Sequence, residues 1–197
     1  MPRTVLIDAN VVDQINRGNV RAAQALRSMI ANGDTVYISH QAYNELVRNP
    51  EIPRTATANR LFLENLGIRV APAGRMTDRI DAHAGNPVRG GVSLPDAHVA
   101  AQARSNNAEL WSFDRAFRHN TQDVQNRLGI RIAPETTTIP LSAGQNDYRE
   151  GRRLMQLPPV RIALNGRVVR STPVGSPSGS TGSPPTTGGA AAGGRGG

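Results

Sequence analysis

Four acidic residues in this chain stand where metal-dependent phosphoryl chemistry would want them. Asp8 closes the apolar run Val5-Leu6-Ile7, Glu45 follows Ser39 by six positions, Asp96 opens Pro95-Asp96-Ala97-His98-Val99-Ala100-Ala101, and Asp114 follows Leu110-Trp111-Ser112-Phe113. A carboxylate beside apolar neighbours at an element end is costly to bury alone. Several in one pocket repel one another unless a cation neutralises them. The set therefore implies a divalent metal. Hard oxygen ligands suit Mg²⁺ or Mn²⁺, and such an ion acidifies a water for attack on phosphorus while offsetting the charge that develops there.

Each acid also has an ordinary local role. Asp8 is placed to cap a following helix. Ser93-x-x-Asp96 reads as a capping box. Glu45 would serve as a solvated helix residue, and Asp114 as a turn residue. His98, two positions after Asp96, points elsewhere around its helix. Asp13, Asp78 and Asp81 read as surface acids, and Trp111 as core.

The elements that must position these residues alternate between strand and helix. Val5–Asp8, Thr35–Ile38, Ile68–Ala71, Glu109–Phe113 and Ile130–Ala133 read as short, nearly continuous apolar strands. Val11–Asn16, Asn19–Ile30, Gln41–Arg48, Ala56–Leu66, Met76–Ala84, Leu94–Arg104 and Val124–Leu128 read as helices. Asn49-Pro50 stops the third and Gly67 closes the fourth. Gly85–Gly91 reads as a loop. The alternation predicts a three-layer α/β/α sandwich with a central parallel sheet over residues 1–135. Ligands of such sheets gather at the carboxyl ends of the strands, where strand order reverses. If the strands ending in Asp8 and Asp114 are neighbours, the two carboxylates converge there.

Beyond residue 135 the pattern changes. Residues 136–170 read as a basic extension, with Arg149, Arg152 and Arg153 in a polar segment ended by Pro158-Pro159. Residues 160–170 read as a hairpin about Asn165-Gly166, in a register that sets Arg161 opposite Arg170. Like charges so placed call for an anion or partner between them. Residues 171–197 contain nine Gly, four Pro and a single Arg. That composition predicts a disordered tail.

The formal charge of the 197-residue chain is +8, and all of its basic charge is Arg. Residues 1–150 hold 17 Arg and all 15 acids, whereas residues 151–197 hold six Arg and no acid. A basic surface concentrates polyanions, and guanidinium forks suit phosphate. The chain has no Cys, and His40, His83, His98 and His119 lack zinc-like spacing. Walker A and Gly-x-Gly-x-x-Gly patterns are missing. An aspartyl-phosphate enzyme would want a second Asp where Asn10 stands. No apolar run reaches membrane-span length, and the start runs straight into a strand, so a soluble cytoplasmic protein is expected. Export by a dedicated injection machine would need no such leader.

The ordered motifs Val5-Leu6-Ile7-Asp8-Ala9-Asn10, Ser39-x5-Glu45-Leu46, Leu94-x-Asp96-x3-Ala100-Ala101 and Ser112-x-Asp114-x2-Phe117 resemble those of the PIN domains. Within that family the size and early first strand look most like the VapC-type toxins. The resemblance implies Mg²⁺ or Mn²⁺ held by Asp8, Glu45, Asp96 and Asp114, with Asn10 and Ser112 orienting the acids. It also implies hydrolysis of RNA. Arg149, Arg152, Arg153, Arg161 and Arg170 are candidate RNA contacts. An antitoxin or immunity protein and a second copy of the chain are the candidate partners. Two other readings remain open: an effector delivered by a secretion apparatus, and a PIN-like module that binds RNA or protein without cleaving. Residues 136–197 depart from the family pattern.

Overall fold

The computed structural model describes residues 1–50, 55–72, 92–142 and 147–157, together with the backbone of residues 160–162 and 168–170. Five parallel strands form one sheet in the order β3-β2-β1-β4-β5, comprising β1 (Thr4–Ile7), β2 (Thr35–Ile38), β3 (Arg69–Val70), β4 (Glu109–Trp111) and β5 (Arg131–Ile132). β1 pairs with β2 on one side and with β4 on the other. Strand order therefore reverses at β1, the place that gathers ligands in open sheets of this kind.

Side-chain alternation sends successive residues of each strand to opposite faces. Val5 and Ile7 enter one core with Val36, Ile38 and Trp111, covered by α1 (Ala9–Asn16), α2 (Val20–Ala31) and α4 (Ala56–Asn65). Leu6 and Leu110 enter the second, covered by α5 (Leu94–Ser105), α6 (Arg115–Arg118) and α7 (Thr121–Leu128). These are the three layers expected from the alternation of elements. Trp111 is fully buried, as its place in an apolar strand predicts. Among the described residues no helix is long and apolar enough to cross a membrane. The helix expected at Met76–Ala84 and the loop at Gly85–Gly91 lie outside the described residues, as does the tail from Ser171.

Three differences from the sequence expectations matter. The segment Gln41–Arg48 is not one uniform helix: α3 (His40–Tyr43) runs into a π-turn over Asn44–Arg48. Short helices α6 and α8 (Glu135–Thr138), which carry no long apolar period, stand where none was expected. The hairpin forms between β6 (Val160–Ile162) and β7 (Val168–Arg170), but its register pairs Val160 with Arg170 and Arg161 with Val169. Arg161 and Arg170 are thus not directly opposite. A shift of one residue relieves the like-charge pairing that the two-residue turn would impose.

The basic segment after residue 145 contains α9 (Tyr148–Gln156), capped by Asp147. Its Leu154 and Met155 are buried in the first core, while Tyr148, Arg149, Arg152 and Arg153 face solvent. Gly151 lies directly on the end of α1: a Cβ built there would overlap the Asn16 carbonyl oxygen. Only a residue without a Cβ lets the two backbones approach so closely.

At the amino ends of the strands Arg3 meets three carboxylates. Its guanidinium lies 3.3 Å from Asp34, 3.2 Å from Glu109 and 2.9 Å from Glu135, and its backbone N–H donates to Asp34 Oδ1 at 2.8 Å. This ties the entries of β1, β2 and β4 to α8. Arg3→Ala leaves three partly buried carboxylates without their cation, and the expected cost is about 2 kcal/mol. Thermal melting should show a fall of roughly 4–8 °C; an unchanged melting temperature would show the cluster to be energetically neutral.

Candidate active site

Asp8 is the buried centre of the site. It leaves the carboxyl end of β1, where its N–H donates to the Trp111 carbonyl at 3.1 Å, and it caps α1. Its Oδ1 accepts from the Ala9 N–H at 2.7 Å. Its Oδ2 accepts from Asn10 Nδ2 and from the Ser112 hydroxyl, both at 2.9 Å. A carboxylate has about four acceptor positions, so three such bonds leave one for a further partner.

Asn10 and Ser112 join the two central strands into one unit. Asn10 Nδ2 also donates to Ser112 Oγ at 3.0 Å, and Asn10 Oδ1 accepts from the Phe113 N–H at 2.8 Å. Ser112 Oγ accepts from the Asp114 N–H at 3.1 Å. The turn that presents Asp114 is therefore built on the residues that hold Asp8. Asp114 caps α6, with Oδ1 accepting from the Ala116 N–H at 2.7 Å. The cap expected of Asp8 is made, while Asp114, expected as a turn residue, caps a short helix instead.

Asp96 lies in the first turn of α5, where the helix dipole tolerates an anion. The Ser93 hydroxyl donates to its Oδ2 at 2.6 Å, and the Asp96 N–H donates to Ser93 Oγ at 3.2 Å. This differs from a full capping box, because the carboxylate returns to the hydroxyl rather than to a backbone N–H. Glu45 stands exposed on the π-turn, its Oε1 accepting from Gln41 Nε2 at 2.7 Å. None of the described residues donates a hydrogen bond to Asp96 Oδ1, Glu45 Oε2 or Asp114 Oδ2.

The four acids act on one another. Burial pushes the Asp8 carboxyl up to about 6; hydrogen bonds from Ser112 and Ala9 oppose this, while Asp96 and Glu45 push it further. Burial raises Asp96 as well, opposed by Ser93 and reinforced by Asp114 and Glu45. Among the described residues none of the four pairs with a basic side chain. Mutual repulsion without a protein counter-ion, with hard oxygens left over, is the environment a divalent cation fits. Among the described residues no three His, Asp or Glu side chains already close on one point as ligands. Mg²⁺ retains several waters and needs only one or two direct carboxylates, so the donor set still suits it.

The sequence matches the PIN domain family over residues 5–122. The chain belongs to that family. All four acids of this PIN domain, with Asn10 and Ser112, lie within the matched span. No match was found among curated proteins. Among solved structures, the fold is similar to a chain of the crystal structure of VapBC2 from Rickettsia felis bound to a DNA fragment from their promoter. The identity is 19% and the TM-score 0.47, covering 66% of this chain and 97% of that one.

Arg149, Arg152 and Arg153 are on α9, which meets α1 at the end opposite Asp8. Arg153 is held by Glu150 at 2.6 Å. Arg161 and Arg170 belong to β6 and β7. His98 and Asp13 are exposed. The sequence reading missed Gln102 of α5, whose Oε1 accepts from the His40 N–H at 2.9 Å while Nε2 donates to the Ala71 carbonyl at 3.0 Å. It fastens the start of the helix leading to Glu45 against the helix that carries Asp96, and no spacing pattern marks it.

Proposed function

We propose that this PIN domain is a metal-dependent endoribonuclease of the VapC toxin kind, cytoplasmic and restrained by an antitoxin. PIN domains are generally nucleases. The observation that carries the reading is the set Asp8, Glu45, Asp96 and Asp114, in which one Asn10–Ser112 network holds both Asp8 and Asp114 and none of the four pairs with a basic side chain among the described residues.

Asp8, Asp96, Asp114 and Glu45 would hold Mg²⁺ or Mn²⁺. When bound, the ion supplies Lewis acidity toward a phosphodiester and its attacking water. Ser112 and the Ala9 N–H favour the charged form of Asp8 against its burial, and Asn10 helps fix its orientation. Ser93 does the same for Asp96. The exposed Arg149 and Arg152 on α9 offer phosphate contacts that add affinity without sequence preference, and Arg161 and Arg170 extend the same basic segment. Arg153 contributes less, since it is already engaged by Glu150.

The test is incubation with total RNA in Mg²⁺, Mn²⁺ or EDTA, followed by end mapping. Cleavage at defined positions that EDTA abolishes is expected. RNA left intact while DNA is cut, or cleavage that survives EDTA, would overturn the reading. In parallel, metal at about 100 times its Kd should stabilise the folded protein by about 2.7 kcal/mol, raising the melting temperature by roughly 5–10 °C. A melting temperature that does not respond to either metal counts against the site.

A further inference from the structure

We propose that Asn59, on α4, is a positioning residue that sets Glu45 through the π-turn; this rests on the reading of Glu45 as a metal-binding acid. The widened turn closes with the Asn49 N–H donating to the Asn44 carbonyl at 2.7 Å, five residues back. The Leu46 carbonyl, next to Glu45, cannot take an ordinary α-helical donor. In an α-helix its donor would be the N–H of residue 50, but that residue is Pro50, which has none. Leu46 is buried. A buried carbonyl without a donor is costly.

Asn59 supplies the donor. Its Nδ2 lies 3.0 Å from the Leu46 carbonyl oxygen, and the residue is only 2% exposed. A buried amide must satisfy its oxygen as well. Asn59 Oδ1 accepts from Asn16 Nδ2 at 2.9 Å. Asn16 is the last residue of α1, the helix that Asp8 caps at its other end. One amide thus links the turn bearing Glu45 to the helix fixed by Asp8, across elements distant in sequence. Asn59 is buried while Glu45 is exposed, so it acts on where Glu45 stands. Outer partners that orient ligands typically change metal affinity by about 10–100-fold when removed.

The test is a double-mutant cycle of Asn59→Leu with Glu45→Gln, read by Mn²⁺ titration well below the melting temperature and by amide hydrogen exchange over residues 44–49. Asn59→Leu should speed exchange at the Asn49 amide and weaken Mn²⁺ binding about tenfold. In the Glu45→Gln background it should weaken binding no further, because the residue it positions is already gone. Equal losses in both backgrounds, which a merely structural role would produce, or exchange identical to wild type, would overturn the proposal. If the wild-type protein binds no Mn²⁺, the reading of Glu45 fails, and the exchange measurement alone decides whether Asn59 holds the turn. Should Asn59→Leu not fold, Asn16→Ala replaces it. That half-buried substitution leaves Asn59 in place without its partner, and the same pattern at smaller size is expected. No change in either measurement would refute the link.

Discussion

Asp8→Asn is expected to lower RNA cleavage by roughly three orders of magnitude, about 4 kcal/mol of barrier, while making the metal-free protein more stable. Asp96→Asn and Asp114→Asn should show the same loss of activity. The rise in stability follows from the sign of the Asp8 shift. Its folded value, about 6, lies above the unfolded one. Between those values the folded state binds more protons than the unfolded state, so stability falls as pH rises through that window. Above about pH 6 the wild-type protein carries the full cost of a buried charge, an upper bound of about 3 kcal/mol.

An amide at position 8 removes that cost, though its NH₂ would meet the Asn10 donor that now bonds to Asp8 Oδ2. The net gain expected at neutral pH is about 1–2 kcal/mol. Denaturant melts of wild type and Asp8→Asn across pH 3.5 to 7.5 should converge at the acid end and separate toward pH 7. Curves parallel at every pH, or a variant less stable at neutral pH, would show that Asp8 carries no burial cost. Cleavage that survives the substitution would remove Asp8 from the site altogether.

Gly151→Ala should be among the most damaging single-methyl changes in the chain. The new Cβ would overlap the Asn16 carbonyl oxygen and carbonyl carbon, and both are backbone atoms at the end of α1. Neither helix can yield by rotating a side chain. α9 must lift, drawing Leu154 and Met155 out of the core they share with α1 and α4. Exposing those two side chains in part, against the helix propensity that Ala adds, gives an expected loss of about 2–4 kcal/mol. The melting temperature should fall by roughly 4–16 °C. A melting temperature within a degree or two of wild type would mean that α9 is not anchored through this contact. Because α9 belongs to the core, deleting it cannot separate an RNA-binding role from a folding role. Arg149→Ala and Arg152→Ala, both on its exposed face, can.

Much of the candidate site's local geometry was legible because its signals are local. Asp8 closes an apolar run, Ser93 precedes Asp96 at capping distance, and Asp114 follows an apolar strand. Each pattern spans only a few residues, and backbone hydrogen-bonding rules interpret it without knowledge of the fold. The alternating elements likewise imply a parallel sheet, and Thr35–Ile38 is the strand that its β-branched and aromatic residues announce. What escaped was set by partners far apart in the chain. Arg3 meets Glu135 across 132 positions, and Asn16 meets Asn59 across 43. Neither spacing has a period that a sequence displays. The π-turn at Glu45 escaped for the same reason, since the donor to its Leu46 carbonyl comes from Asn59, 13 positions on. The hairpin register turned on one residue, where turn preference and charge repulsion oppose each other and pairing decides the outcome. Sequence thus determined which residues could do the chemistry and which elements carry them. Tertiary structure decided how those elements are held, because a buried polar group takes whichever partner the fold brings within hydrogen-bond reach.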